Sequence, residues 1–220
     1  MKTTRKEVLR IFGEDRLIAV IRAASAETAE RAARVLSQAG IRLVEITLTV
    51  PGAIELIGKL AADADFTSRS VVGAGTVLAA SQAGEAIHAG ARFLVSPVLF
   101  AEMVEIARKN DAMSMPGTMT PTEMVTASAL GADLVKIYPI ASLGGPAYVT
   151  QVRRTLAHLA LVATGNIGFE ELAPFLATGL AGFGIGDPLV RPDLLEKKDT
   201  AAVITNAKRV LEATRRSSSR

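Results

Sequence analysis

Short runs of apolar residues return along the whole chain, at residues 17–21, 43–48, 71–74, 93–95, 113–115, 134–138, 159–163 and 182–185. They are continuous rather than alternating, which is the pattern of strands buried on both faces. Segments of helical period lie between most of them. Residues 26–39 are Ala-rich, carry Glu27, Glu30, Arg31 and Arg34, and follow Ser25, a residue suited to cap a helix. Thr120-Pro121-Thr122-Glu123 has the form of a capping box with proline at the first helical position. Gly40, Gly90, Gly131 and Gly179 each stand between a helical segment and the next apolar run. A glycine there supplies the left-handed conformation that closes a helix.

The repeated order of strand, helix and glycine implies βα units joined by short loops. About eight of them in 220 residues predict a (β/α)8 barrel, with an additional N-terminal helix covering its floor. The alternative is an open doubly wound sheet. It lacks the expected Gly-x-Gly-x-x-Gly turn after the first strand, where Ile21-Arg22-Ala23-Ala24-Ser25 stands. No linker or shift of composition divides the chain, so residues 1–220 are expected to form one domain, with a disordered tail over 215–220.

Composition narrows the function. Hydrophobic residues make up 49% and aromatics only 4%, so the core must be mostly Ala, Val, Leu and Ile. Cysteine is absent, which leaves no disulfide framework and no thiolate metal site. The two histidines, His88 and His158, fall in predicted helices without ligand-like neighbours, so no metal is expected. The net charge of +3 is small and partly terminal, from Arg215, Arg216 and Arg220 around three serines. No basic stripe with interleaved aromatics points to nucleic acid. No run approaches the ~18 apolar residues of a membrane span, and no signal peptide is visible. A cytoplasmic protein with no membrane partner is the expectation.

Lys136 is the exceptional residue. It interrupts the apolar run Leu134-Val135-Lys136-Ile137-Tyr138, and lysine is rarely buried without a partner or a task. Desolvation disfavours the ammonium, so such an amine can become a nucleophile near neutral pH. The alternative is an edge strand with Lys136 pointing at water. In a barrel, the C-terminal strand ends converge on one site. Among those ends, charged groups are read on strands at three places, Arg22, Glu45 and Lys136. Schiff-base chemistry on a keto acid needs an amine to attack the ketone, a carboxylate to move protons and a cation for the substrate carboxylate. Glu45 could instead form a structural pair with Lys136, and Arg22 a salt bridge at the rim. A metal-dependent route lacks histidine ligands.

The ordered segments Glu45-Ile46-Thr47-Leu48-Thr49, Gly73-Ala74-Gly75-Thr76-Val77, Ser96-Pro97, Pro116-Gly117, Lys136-Ile137-Tyr138-Pro139 and Thr164-Gly165 resemble the 2-keto-3-deoxy-6-phosphogluconate and 4-hydroxy-2-oxoglutarate aldolases. The likeness runs from about residue 17 to residue 190. It implies a class I aldolase, a homotrimer of (β/α)8 barrels needing no cofactor. Such an enzyme splits a 2-keto-3-deoxy sugar acid into pyruvate and an aldehyde. The family substrate 2-keto-3-deoxy-6-phosphogluconate would give glyceraldehyde 3-phosphate, and 4-hydroxy-2-oxoglutarate would give glyoxylate. By the resemblance Lys136 forms the imine, Glu45 is the general acid/base, and Thr76, Pro97 and Thr164 line the pyruvate end. Many members carry an arginine where Thr49 stands here, which makes Arg22 the replacement cation.

Two departures fall where the family binds phosphate. Thr-Gly-Gly-Ile is here Thr164-Gly165-Asn166-Ile167, and a usual Gly-Ser is here Gly186-Asp187-Pro188. A carboxylate at Asp187 would repel a phosphate dianion. Alternatively, Asp187 caps the following short helix and faces away. A non-phosphorylated 2-keto-3-deoxy sugar acid is therefore an alternative substrate. A phosphate-binding barrel isomerase or decarboxylase and a metabolite-binding barrel without turnover are the rivals.

Overall fold

The computed structural model describes residues 3–190 and 199–215; the predicted tail lies outside them from residue 216 onward. Helix α1 (Arg5–Asp15) precedes β1 (Leu17–Ile21). Then follow α2 (Ala26–Gln38), β2 (Leu43–Thr47), α3 (Ala53–Ala62), α4 (Ala64–Thr67) and β3 (Val71–Gly75). Next come α5 (Ala80–Ala89), β4 (Phe93–Val95), α6 (Ala101–Lys109), β5 (Met113–Met115) and β6 (Gly117–Thr118). The chain continues through α7 (Pro121–Ala129), β7 (Val135–Ile137), α8 (Gly145–Arg153) and β8 (Leu161–Thr164). It closes with α9 (Leu172–Ala177), β9 (Gly182–Ile185), α10 (Asp187–Val190) and a C-terminal helix (Thr200–Arg215).

All strands are parallel, in the order β5-β4-β3-β2-β1-β9-β8-β7-β6. Nine strands stand where eight runs were expected, because Pro116 divides one stave into β5 and β6. Proline has no N–H to give to a ladder. Its carbonyl still accepts from Lys136 N–H at 3.0 Å, and Ser114 C=O accepts from Leu134 N–H at 3.2 Å. Those bonds carry the sheet across the break and close the barrel.

Local signals act where the sequence placed them. Ser25 Oγ accepts from Thr28 N–H at 3.2 Å, and Thr120 with Glu123 forms the capping box of α7. Gly40, Gly90, Gly131 and Gly179 all have φ between +76° and +114°. His88 lies in α5, but His158 does not lie in a helix. α8 stops at Arg153, and three-residue turns such as Leu159 N–H to Leu156 C=O carry the chain into β8.

Two apolar layers result from the strand period of two. Val44, Ile46, Ala74 and Ile137 face the helices. Ile18, Leu43, Val71, Phe93, Met113, Leu134 and Val162 fill the barrel, and Val8, Ile11 and Phe12 of α1 plug its floor. Asp15, at the end of α1 and 1% exposed, holds the floor with paired bonds from Arg42 at 2.7 and 2.8 Å and a bond from Arg215 Nε at 2.7 Å. The floor is therefore plugged, while the C-terminal ends of the strands open onto a cavity. No helix among the described residues is long and apolar enough to cross a membrane.

Candidate active site

Inward positions recur every second residue, so Leu43 in the barrel core puts Glu45 one layer higher. In the same way Leu134 is followed by Lys136 and Tyr138, Val162 by Thr164, and Ile18 by Val20 and Arg22. These upper residues surround a cavity of about 310 Å³ at the C-terminal end of the barrel. The residues assigned to the site from the sequence line it: Lys136, Glu45, Arg22, Thr49, Thr76, Pro97, Thr164, Gly165, Asn166, Gly186 and Asp187.

Lys136 is 7% exposed and Glu45 is 2% exposed, so neither points at water from an edge. They do not form the close ion pair considered above, and Glu45 Oε2 is buried without a hydrogen-bond partner. Burial pushes the Lys136 amine below the ordinary lysine value, against the pull of Glu45 and with the repulsion of Arg22. Burial also raises the Glu45 carboxyl, while Lys136 and Arg22 pull it back. Both shifts favour neutral forms. One proton moved from ammonium to carboxylate leaves a free amine and a carboxylic acid, the protonation states that imine formation uses.

The backbone is shaped around these two groups. A Cβ on Gly75 would overlap the Glu45 carboxylate, so glycine there is a condition for the placement of Glu45. Thr76, the next residue, is β-branched yet has φ +59°, a rare strained conformation that concentrates at functional sites. Lys136 Nζ lies 4.9 Å from the centre of the Tyr138 ring. A Cβ on Gly165 would meet that ring at 3.3 Å. Tyr138, Val20, Ser142 and Gly184 also line the cavity and were not singled out as site residues. The period of two from Lys136 was a signal sufficient to find Tyr138.

Polar groups at the rim are unevenly engaged. Thr49 Oγ1 is 2.8 Å from Thr47 Oγ1, which itself bonds to Ile21 C=O at 3.1 Å. Thr164 Oγ1 is buried without a partner. Arg22 forms no rim salt bridge among the described residues, in contrast to the alternative weighed for it. Asp187 does not cap α10 with its side chain. The Gly186 carbonyl accepts from the N–H groups of Leu189 and Val190 at 2.9 and 3.0 Å, and Asp187 is the first helical residue.

A family model for KDPG and KHG aldolase matches residues 8–206. This chain belongs to that family, and with it to the aldehyde-lyases. It is 34% identical to a 2-dehydro-3-deoxy-phosphogluconate aldolase of Treponema pallidum, over 74% of this chain and 76% of the relative. It is 32% identical to the 2-dehydro-3-deoxy-6-phosphogalactonate aldolase of Escherichia coli, over 80% of this chain and 84% of the relative. Among solved structures, the KDPG aldolase of Legionella pneumophila superposes with a TM-score of 0.81 at 25% identity, covering 91% of this chain and 96% of that one. That structure holds pyruvate captured as a covalent carbinolamine.

Proposed function

We propose that this chain cleaves a 2-keto-3-deoxy sugar acid to pyruvate and an aldehyde, with Lys136 as the Schiff-base nucleophile and Glu45 as the general acid/base. The observation that carries the reading is the pair itself, an amine and a carboxyl buried in one cavity whose surroundings favour their neutral forms. The carbinolamine in the Legionella relative supports the same chemistry.

The amine attacks the C2 ketone, and the carbinolamine loses water as Glu45 supplies the proton. In the resulting iminium, Glu45 takes the C4 hydroxyl proton through water. The C3–C4 electron pair moves into the iminium, the aldehyde leaves, and an enamine remains. Protonation at C3 and addition of water then free pyruvate and the amine. Arg22 holds the substrate carboxylate, while Thr76, Pro97 and Thr164 enclose the pyruvyl end. Thr49, Gly165, Asn166, Gly186 and Asp187 contact the rest of the chain of carbons.

The relatives are named for 2-keto-3-deoxy-6-phosphogluconate and its galactonate counterpart, which supports a six-carbon 2-keto-3-deoxy skeleton of either configuration for the acid. The protein is proposed to act in the cytoplasm as a homotrimer. Exposed Leu78, Val98 and Met119, after β3, β4 and β6, with Val125 of α7, give one rim apolar side chains for subunit contact. Light scattering that shows a monomer would exclude the trimer.

The deciding experiment is mass spectrometry of the intact protein after addition of pyruvate and sodium borohydride, with peptide mapping. A reduced pyruvyl adduct on Lys136 is expected, and Lys136→Ala should lose both adduct and turnover. A folded protein with no adduct would overturn the aldolase reading in favour of a barrel isomerase, decarboxylase or binding protein.

A further inference from the structure

The cavity has two ends of different character. Lys136 and Glu45 form its buried end. Its open end consists of the turns after β8 and β9, with Asn166 and Asp187 exposed, while Arg22, the residue after β1, acts electrostatically on both Lys136 and Glu45. In barrels of this type, the loops after the last two staves and the start of a short extra helix commonly hold a substrate phosphate. Here α10 is that helix, and it begins with a carboxylate.

Among the described residues nothing neutralises that carboxylate. Asp187 has neither a hydrogen-bond partner nor an ion-pair partner among the described residues. Pro188 has no N–H, and the N–H groups of Leu189 and Val190 are taken by Gly186 C=O. The first turn of the helix therefore presents little to an anion. On the facing turn, Gly165 has φ +106° and Asn166 has φ +51°. Asparagine tolerates the left-handed backbone, and it adds a carboxamide at the cavity rim. Across β9, the pairing of Ala19 with Ile185 sets Arg22 and Asp187 on neighbouring strand ends, yet they form no ion pair among the described residues. Arg22 is thus left for the substrate carboxylate, and Asp187 for the other end of the substrate.

We propose that the open end takes an uncharged, hydroxyl-bearing tail, so that the substrate is an unphosphorylated 2-keto-3-deoxy sugar acid whose distal hydroxyl donates to Asp187. This rests on the aldolase reading above and deepens it. A hydroxyl bonded to a carboxylate is a strong, charge-assisted contact. A phosphate dianion in its place would meet a like charge in a partly enclosed site. A site that pairs its polar groups with a substrate hydroxyl also discriminates well against analogues that cannot satisfy them.

The test compares kcat/KM for free and 6-phosphorylated 2-keto-3-deoxy acids, of both gluconate and galactonate configuration, by coupled detection of pyruvate. The full-length protein is expected to favour a free acid by about tenfold or more, and Asp187→Ser to move the ratio toward phosphate by a similar factor. A preference of the unaltered protein for a phosphorylated acid would overturn the inference, as would a ratio unchanged by Asp187→Ser. Asn166→Gly, which suits the left-handed backbone, is expected to move the ratio in the same direction should Asp187→Ser fold poorly. Borohydride trapping separates the two levels. A Lys136 adduct without turnover of any free acid refutes the inference alone, whereas no adduct and no turnover refute the aldolase reading with it.

Discussion

Replacing both buried ionisable groups by methionine, Glu45→Met with Lys136→Met, should abolish turnover and yet stabilise the barrel. Glu45 is 2% exposed, Lys136 is 7% exposed, and Glu45 Oε2 lacks a hydrogen-bond partner. Two charges taken from water without a close mutual pair give little back. Exchanging a buried pair for apolar residues of similar size is worth about 1–4 kcal/mol. For a chain of this length each kcal/mol corresponds to about 2–4 °C, so Tm should rise by about 2–16 °C at pH 7. Each single replacement strands the other charge and should be less stable than the double, and a double-mutant cycle reads that coupling. The pH dependence follows from the two shifts. Glu45 is raised, so its cost is absent below the ordinary carboxylate value near ~4.3 and appears as pH rises. Lys136 is lowered, so its cost is absent above the ordinary lysine value near ~10.4 and appears as pH falls. Differential scanning calorimetry across pH 4–10, an interval set by those reference values, tests both arms. A double variant less stable than the parent at pH 7 would refute the claim that these groups are kept for chemistry at the expense of stability.

Three further outcomes are expected. The rate of borohydride trapping with pyruvate should rise with pH through a midpoint below the ordinary lysine value of about 10.4; a midpoint at or above it would contradict the desolvation of Lys136. Gly75→Ala should lower kcat by about 10²-fold or more, because its Cβ displaces Glu45, while the far-ultraviolet circular dichroism of the barrel persists; unchanged kcat would show that Glu45 does not need that space. Asp15→Ala should cost about 1–3 kcal/mol in urea unfolding with kcat/KM unchanged, since it removes the buried carboxylate that Arg42 and Arg215 share far from the site.

The residues that were legible in the sequence are those whose type conflicts with their surroundings. Lys136 and Glu45 stand out because a charge interrupts an apolar run, and the same two-residue period that buries Leu134 and Leu43 fixes which way they point. The helix ends were legible because glycine, Ser25 and the Thr120 capping box answer local backbone demands. What stayed hidden depends on contacts between distant segments. Pro116 breaks its strand, and β5 and β6 remain one stave only because β7 bonds across the break. Gly75 reads as a flexible residue until Glu45 is placed against it. Thr76 carries no sequence sign of its φ of +59°, since a β-branched residue is the last type expected there. The strain at Thr76, the space at Gly75 and the unpaired oxygen of Glu45 lie within one short arc of the cavity. Each is unfavourable for folding taken alone. Together they hold a carboxyl beside an amine without letting the two close into an inert pair, and the barrel's filled interior and pinned floor supply the stability that such an arrangement costs.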